Sequence, residues 1–235
     1  WEEAVETGTR NPTVFRNLGI AYWNSGRMSD KARSAYLRAL ELDPMDARLV
    51  YEYDQLRKKM GDAESERLSF LTRKWALVES RDDACIEWAA LMNNACKHRE
   101  VLMLLMNRRF HPWEGGEGRV LRQFTDAKIG LGKQALARGE TEQALELFES
   151  AFDSPDNLGE ANHLLQAKAD ANYWRGKALR ALEREEEATH AFEASVSERF
   201  DFLGMEVVPF SPISYYKGMA LIELGQTAEA EAFFK

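Results

Sequence analysis

Residues 132–151 read GKQALARGETEQALELFESA, and three positions in that stretch decide the fold. Gly132 is followed after twelve residues by Ala144 and after four more by Phe148, and the same spacing returns as Gly176, Ala188, Phe192 and as Gly218, Ala230, Phe234. Gly19, Ala32 and Tyr36 repeat it with one extra residue. Self-similarity of this kind marks a chain built from stacked copies of one unit. Glycine and alanine let two helices approach closely, and an aromatic four residues beyond the alanine lies on the same helix face and fills the groove. Gly26, Gly61, Gly139 and Gly225 fall between the helices of such pairs, where a left-handed residue commonly ends a helix.

At these residues the chain resembles the tetratricopeptide repeat. Leu18, Gly19, Tyr22, Ala32, Tyr36, Ala39 and Pro44 stand in the family's order, and Gly132, Gly139, Ala144, Phe148 and Ala151 do so again, with Pro155 one place early. The resemblance implies an all-α fold, a right-handed α-α superhelix of about six helix pairs. Residues 46–78, with Gly61 and Phe70, form a weaker unit, and residues 82–109, with Trp88, Leu91 and Ala95, another that lacks the signature glycine. The expected plan is one helical-repeat domain over 1–235, with degenerate repeats at 46–110, a glycine-rich loop at 111–118 and better-conforming repeats at 119–235. From Phe148 to Gly176 is 28 residues and from Phe192 to Gly218 is 26, so the array is irregular against the family's period of about 34. Residues 162–183, NHLLQAKADANYWRGKALRALE, read as one lengthened helix, and RFDFLGMEVVPFSP at 199–212 as an apolar loop tucked against a neighbour.

Composition narrows the function classes. With 45% hydrophobic and 11% aromatic residues the chain has material for a core, and its six prolines fall between the periodic segments. A formal charge of -8, from 31 basic and 39 acidic residues, argues against nucleic acid or an anionic membrane as partner. No apolar run approaches the roughly 18 residues of a membrane helix. Cys85 and Cys96 are read as buried, reduced thiols, which fits a cytoplasmic setting. The chain opens at Trp1 and stops at Lys235 inside a periodic segment, which reads as a fragment of a longer protein.

In tetratricopeptide arrays the first helix of each pair lines the concave face. Carried over from each signature glycine, that face takes Arg16, Trp23, Lys133, Tyr173, Lys177, Arg180 and Tyr215. Basic groups beside aromatics suit an extended peptide or a ligand bearing carboxylates; the competing reading is solvated Lys and Arg on helix faces. The family's carboxylate clamp for peptide C-termini needs a set of Asn and Lys that this sequence does not reproduce.

The most distinctive segment is HPWEGGEG, residues 111–118. Its candidate ligand-binding residues are His111, Trp113, Glu114 and Glu117: the indole would stack on a sugar and the carboxylates would accept hydroxyl protons. Against this stands a packing role, with Trp113 plugging a gap between irregular repeats. Two carboxylates three residues apart do not define glycosidase geometry. The four histidines occur singly without metal-ligand spacing, no nucleophile or phosphate-loop motif is present, and no cofactor is implied. Asp153, Asp156 and Asn157 read as turn and cap residues.

HPWEGGEG followed by a helix and repeats also resembles the C-terminal half of long bacterial proteins whose N-terminal part is β-rich and related to carbohydrate-active folds. The first expectation is therefore a non-catalytic scaffold for a protein or peptide, the N-terminal domain of the same chain included. The second is a helical module of a carbohydrate-processing or sugar-sensing protein.

Overall fold

The computed structural model describes residues 1–26, 28–111, 113–163, 165–203 and 206–235; Pro112, Leu164 and the 204–205 pair within the sequence segments singled out above lie outside them. The chain forms two compact units, Trp1–Leu91 and Met92–Lys235. In the first lie α1 (Glu2–Glu6), α2 (Pro12–Gly26), α3 (Ser29–Leu42), α4 (Ala47–Met60), α5 (Glu64–Arg73) and α6 (Trp75–Val78), and α7 (Asp82–Asn94) runs across the boundary. The second holds α8 (His98–Met106), α9 (Arg119–Ala137), α10 (Thr141–Ser150), α11 (Ala169–Ala181), α12 (Glu185–Ser197), α13 (Ser214–Glu223) and α14 (Thr227–Phe233). Two three-residue strands, β1 (Asp201–Leu203) and β2 (Glu206–Val208), pair antiparallel before α13. The architecture is all-α, and among the described residues five helix–turn–helix pairs pack within the units: α2/α3 and α4/α5 in the first, α9/α10, α11/α12 and α13/α14 in the second.

The repeated glycine does what its spacing predicts. A methyl group on Gly132 would meet Phe148 at 2.4 Å, on Gly176 would meet Phe192 at 2.7 Å, on Gly218 would meet Phe234 at 2.2 Å and on Gly19 would meet Tyr36 at 2.5 Å. Each of these aromatic rings, in or at the end of the second helix, packs against the bare backbone of the first. The alanines one turn before, Ala32, Ala144, Ala188 and Ala230, are all buried. Around these contacts the second unit gathers a core of Ala171, Tyr173, Ala178 and Leu179 with Phe148 and Phe192.

Five of the interhelical turns are one structure. In each, the left-handed residue donates its N–H to the carbonyl three residues back and the next residue donates to the carbonyl five back: Gly61 and Asp62, Cys96 and Lys97, Gly139 and Glu140, Glu183 and Arg184, Gly225 and Gln226. This double bond pattern satisfies carbonyls that a helix end otherwise leaves open. Gly26 does not belong to the set; it is the last residue of α2. In its place the motif recruits Cys96 (φ 59°) and Glu183 (φ 61°), side chains forced into the region where L-residues pay about 1–2 kcal/mol. Both are exposed, so Cys96→Gly and Glu183→Gly are each expected to raise stability by about 0.5–1 kcal/mol once glycine's own entropic cost is subtracted, read from urea denaturation. Exposure of Cys96 also corrects the expectation that both thiols are buried; Cys85 is.

Two further expectations change. Residues 162–183 are not one helix: α11 starts at Ala169. The backbone N–H groups before it find side-chain acceptors from elsewhere, Ala167 donating to Asp201 Oδ1 (2.9 Å) and Lys168 to Glu198 Oε1 (3.3 Å). The Asn162 amide donates to the carbonyl of Phe152 (3.0 Å), so tertiary hydrogen bonds replace the i−4 ladder that periodicity alone suggests. Residues 199–212 are not merely a loop, since β1 and β2 form a hairpin with Asp201 opposite Val208. Its Phe202 ring stacks on His163 at 4.1 Å while Asp201 is buried.

Candidate functional site

In the first unit, Arg16 on α2 donates from Nε and Nη2 to both oxygens of Glu52 on α4 (2.5 and 2.6 Å), and Arg48 adds a third bond to the same carboxylate (2.7 Å). Burial pushes the Glu52 carboxyl up, and the hydrogen bonds from Arg16 and Arg48 overcome it, leaving it below the usual carboxylate range. Trp23 is half-buried beside Ile20 and Met60.

The second unit carries a cavity of about 830 Å³. One face of α9 forms a wall: Arg122, Asp126, Ile129, Gly130 and Lys133 recur at helical spacing. Gly130 is required there because the His98 ring of α8 lies against it, 2.2 Å from where a methyl group would stand. Opposite stand Asp170 of α11, Asp201 of β1 and Tyr215 and Tyr216 of α13. A volume in the range of roughly 300–1,000 Å³ is that of ordinary ligand pockets.

Its charges are arranged in a definite way. Arg122 donates to Asp170 Oδ2 (2.6 Å) and to Asp126 Oδ1, so the guanidinium, although burial opposes its charge, is held above its usual range by Asp170 and Asp126. Lys133 is exposed and lies 4.9 Å over the Trp174 ring, in cation–π geometry, and has no salt bridge among the described residues. Tyr215 is 54% exposed. Of the other groove candidates, Lys177 donates to Glu223 Oε1 (2.8 Å) and Arg180 to Glu223 Oε2 (2.5 Å), with Arg180 over Phe192 at 4.8 Å. Tyr173 is in the core, where burial first and the Glu223 charge second push its hydroxyl up to about 12. Of the seven groove candidates, then, Lys133 and Tyr215 line the cavity. Arg122, Asp126, Asp170, Asp201 and His98 were not singled out by sequence, although 122, 126, 129 and 133 form one helical stripe.

His98 titrates below its ordinary value, burial being the main cause and Lys133 adding to it, while Asp126 and Glu100 pull the other way. A base whose folded value is lowered binds fewer protons folded than unfolded, so stability is greatest above the unfolded value near 6.5 and falls as pH drops below it. The difference in stability between pH 7 and pH 5 is therefore expected to shrink in His98→Asn, measured by thermal unfolding at both pH values.

The HPWEGGEG segment is tied to the 157–160 turn. Phe110 donates to the Asn157 carbonyl (2.8 Å), and the Asn157 amide donates to the carbonyls of Leu105 and Arg108 (2.7 and 2.8 Å). Glu160 accepts from the backbone N–H groups of Gly118 (2.7 Å) and Leu121 (2.9 Å), capping α9 with a carboxylate that the helix's own first turn lacks. Glu160→Gln is expected to cost about 1 kcal/mol by urea denaturation, because the anion at the helix N-terminus is lost. Trp113 is half-buried and folds onto Gly116, whose methyl position would meet the indole at 2.0 Å. His111, Trp113 and Glu117 line a recess of about 110 Å³, well below the roughly 300 Å³ at which ligand pockets begin; Glu114 is exposed outside it.

Residues 129–201 and 16–45 match sequence models of the tetratricopeptide repeat. The crystal structure of MamA protein is similar at 16% identity, with 80% of this chain and 91% of that chain covered and a TM-score of 0.53. A TPR repeats protein from Bacteroides fragilis is similar at 15% identity, with 96% of each chain covered and a TM-score of 0.46. With ring-on-glycine packing in four of its helix pairs and repeat matches in both compact units, the chain is an all-α protein that carries tetratricopeptide repeats.

Proposed function

We propose that the Met92–Lys235 unit holds an extended segment of a partner protein, or of another domain of the same protein, in the cavity between α9 and α13, and that it does so without chemistry of its own. The observation that carries this is the pairing of Lys133 and Tyr215, one exposed cation and one exposed aromatic, on walls of an 830 Å³ cavity built from successive repeat helices. Tyrosine and cation–π contacts are frequent anchors in such grooves. The other cations of the groove face, Arg16, Lys177 and Arg180, already serve Glu52 and Glu223, which argues against a ligand recognised mainly by its carboxylates.

Selection of peptides from a displayed random library, followed by affinity measurements on purified protein, tests this. Selected peptides are expected to lose about ten-fold or more in affinity to Tyr215→Ala and a smaller factor to Lys133→Ala. Both side chains are exposed at Lys133 and Tyr215, so the variants keep the core. Failure to select any peptide, or peptides indifferent to both changes, counts against the proposal. Binding to an oligosaccharide array that disappears in Trp113→Ala but survives in Tyr215→Ala would instead favour the sugar-recognising module.

A further inference from the structure

Beside the 830 Å³ cavity lies a second one of about 290 Å³, and the two share Arg122, Asp201 and Ile213 in their walls. Three side chains around the smaller cavity carry a buried oxygen for which no hydrogen-bond partner exists among the described residues: Glu117 Oε2, Gln166 Oε1 and Asp201 Oδ2. Asp201 is 2% exposed, and only its Oδ1 is occupied, by the Ala167 N–H. Buried acceptors are nearly always paired in native proteins, and an unpaired buried carboxylate oxygen is the costliest of them. Three acceptors around one cavity ask for one group that brings several donors.

The geometry points to a side-chain pocket for arginine: the guanidinium of a bound segment enters the 290 Å³ cavity, donates to Asp201, Glu117 and Gln166, and lies along Phe202 and Ile213. This deepens the peptide reading by naming the chemistry of the partner and rests on it only for the source of the arginine. Charge agrees. Around the two cavities stand four carboxylates, Glu117, Asp126, Asp170 and Asp201, against three cations, Arg119, Arg122 and Lys133, which leaves one carboxylate in excess. Arg122 is already held by Asp126 and Asp170, and Arg119 has a contact of its own. Arginine suits the place better than lysine because its planar fork offers five donors and stacks on an aromatic ring, whereas an ammonium is a compact, strongly hydrated point charge. A sugar hydroxyl brings donors without the charge that Asp201 and Glu117 call for.

The test uses the whole chain and defined probes. N-acetyl-arginine N-methylamide is titrated into ¹⁵N-labelled protein and followed at the Ala167 amide, which donates to Asp201. N-acetyl-citrulline N-methylamide, the same shape without the charge, and N-acetyl-lysine N-methylamide serve as comparisons. A saturable shift with arginine is expected, about ten-fold weaker affinity with lysine and no response to citrulline. Asp201→Asn keeps an oxygen for Ala167 and supplies its own N–H donors, so it is expected to stay folded and to abolish the arginine response; Glu117→Gln is expected to weaken it. No shift with arginine, the result if ordered water satisfies the three oxygens, or equal shifts with arginine and citrulline, overturns the pocket. Peptides that bind through Tyr215 and Lys133 but tolerate arginine-to-citrulline exchange would overturn the pocket while leaving the peptide reading in place. An arginine response without any selected peptide would do the reverse.

Discussion

Arg67→Met is expected to cost the Trp1–Leu91 unit about 3–5 kcal/mol, measured by urea denaturation with far-UV circular dichroism. Arg67 on α5 donates from Nε and Nη2 to Asp54 of α4 (3.0 and 2.6 Å) and from Nη2 to Glu87 of α7 (3.2 Å). Asp54 and Glu87 are 0% and 2% exposed. Burial first, with the Glu87 charge adding to it, pushes the Asp54 carboxyl above its ordinary range in spite of Arg67. Taking the guanidinium away leaves Asp54 and Glu87 in the core without the cation they share, and half-exposed Lys58 still donates to Glu87 (3.0 Å). Methionine keeps much of the volume, so the loss is electrostatic rather than a cavity effect. The triple change Arg67→Met, Asp54→Asn, Glu87→Gln is therefore expected to recover most of it, because the buried charges leave together. A loss below about 1 kcal/mol for Arg67→Met alone would mean that water reaches this network.

Phe148→Ala is the second large effect, about 3–5 kcal/mol from the Met92–Lys235 unit. The ring is fully buried, rests on Gly132 and stacks with Trp174 at 6.2 Å between centroids. Deleting it removes the packing of α9 on α10 and leaves a void between backbones that were brought close by glycine. Approached from the other side, Gly132→Ala forces a methyl group to within 2.4 Å of that ring and is expected to cost about 1–3 kcal/mol. The two sites touch, so Gly132→Ala combined with Phe148→Leu is expected to cost less than the sum of the single changes. Additive costs would mean that the ring-on-glycine contact does not hold the pair together.

The helix pairs were legible because their cause is local: Gly132, Ala144 and Phe148 lie within one hairpin, and the ring finds the glycine wherever the hairpin closes. Turns were legible where the left-handed residue is glycine, as at Gly139 and Gly225, and hidden where Glu183 or Cys96 takes the same conformation. Residues 162–168 misread as helix because the acceptors that hold them, Glu198 and Asp201, sit 30 and 34 positions away. Distance in sequence explains the site as well. Arg16, Lys177 and Arg180 look like free groove cations until Glu52 and Glu223, 36 to 46 residues on, are seen to take them. The α9 stripe of Arg122, Asp126, Ile129 and Lys133 was readable at helical spacing; that Asp170 and Asp201 close the cavity over it depends on tertiary folding alone.

Protein binding through the repeat cavity is tested most directly by mapping a selected peptide on ¹⁵N-labelled protein by NMR. Perturbed amides are expected along α9 around residues 122–133 and on α13 around Tyr215 and Tyr216, and are expected to vanish in Tyr215→Ala. Perturbations confined to residues 111–118, or scattered over helix faces remote from the cavity and unchanged in Tyr215→Ala, would contradict it.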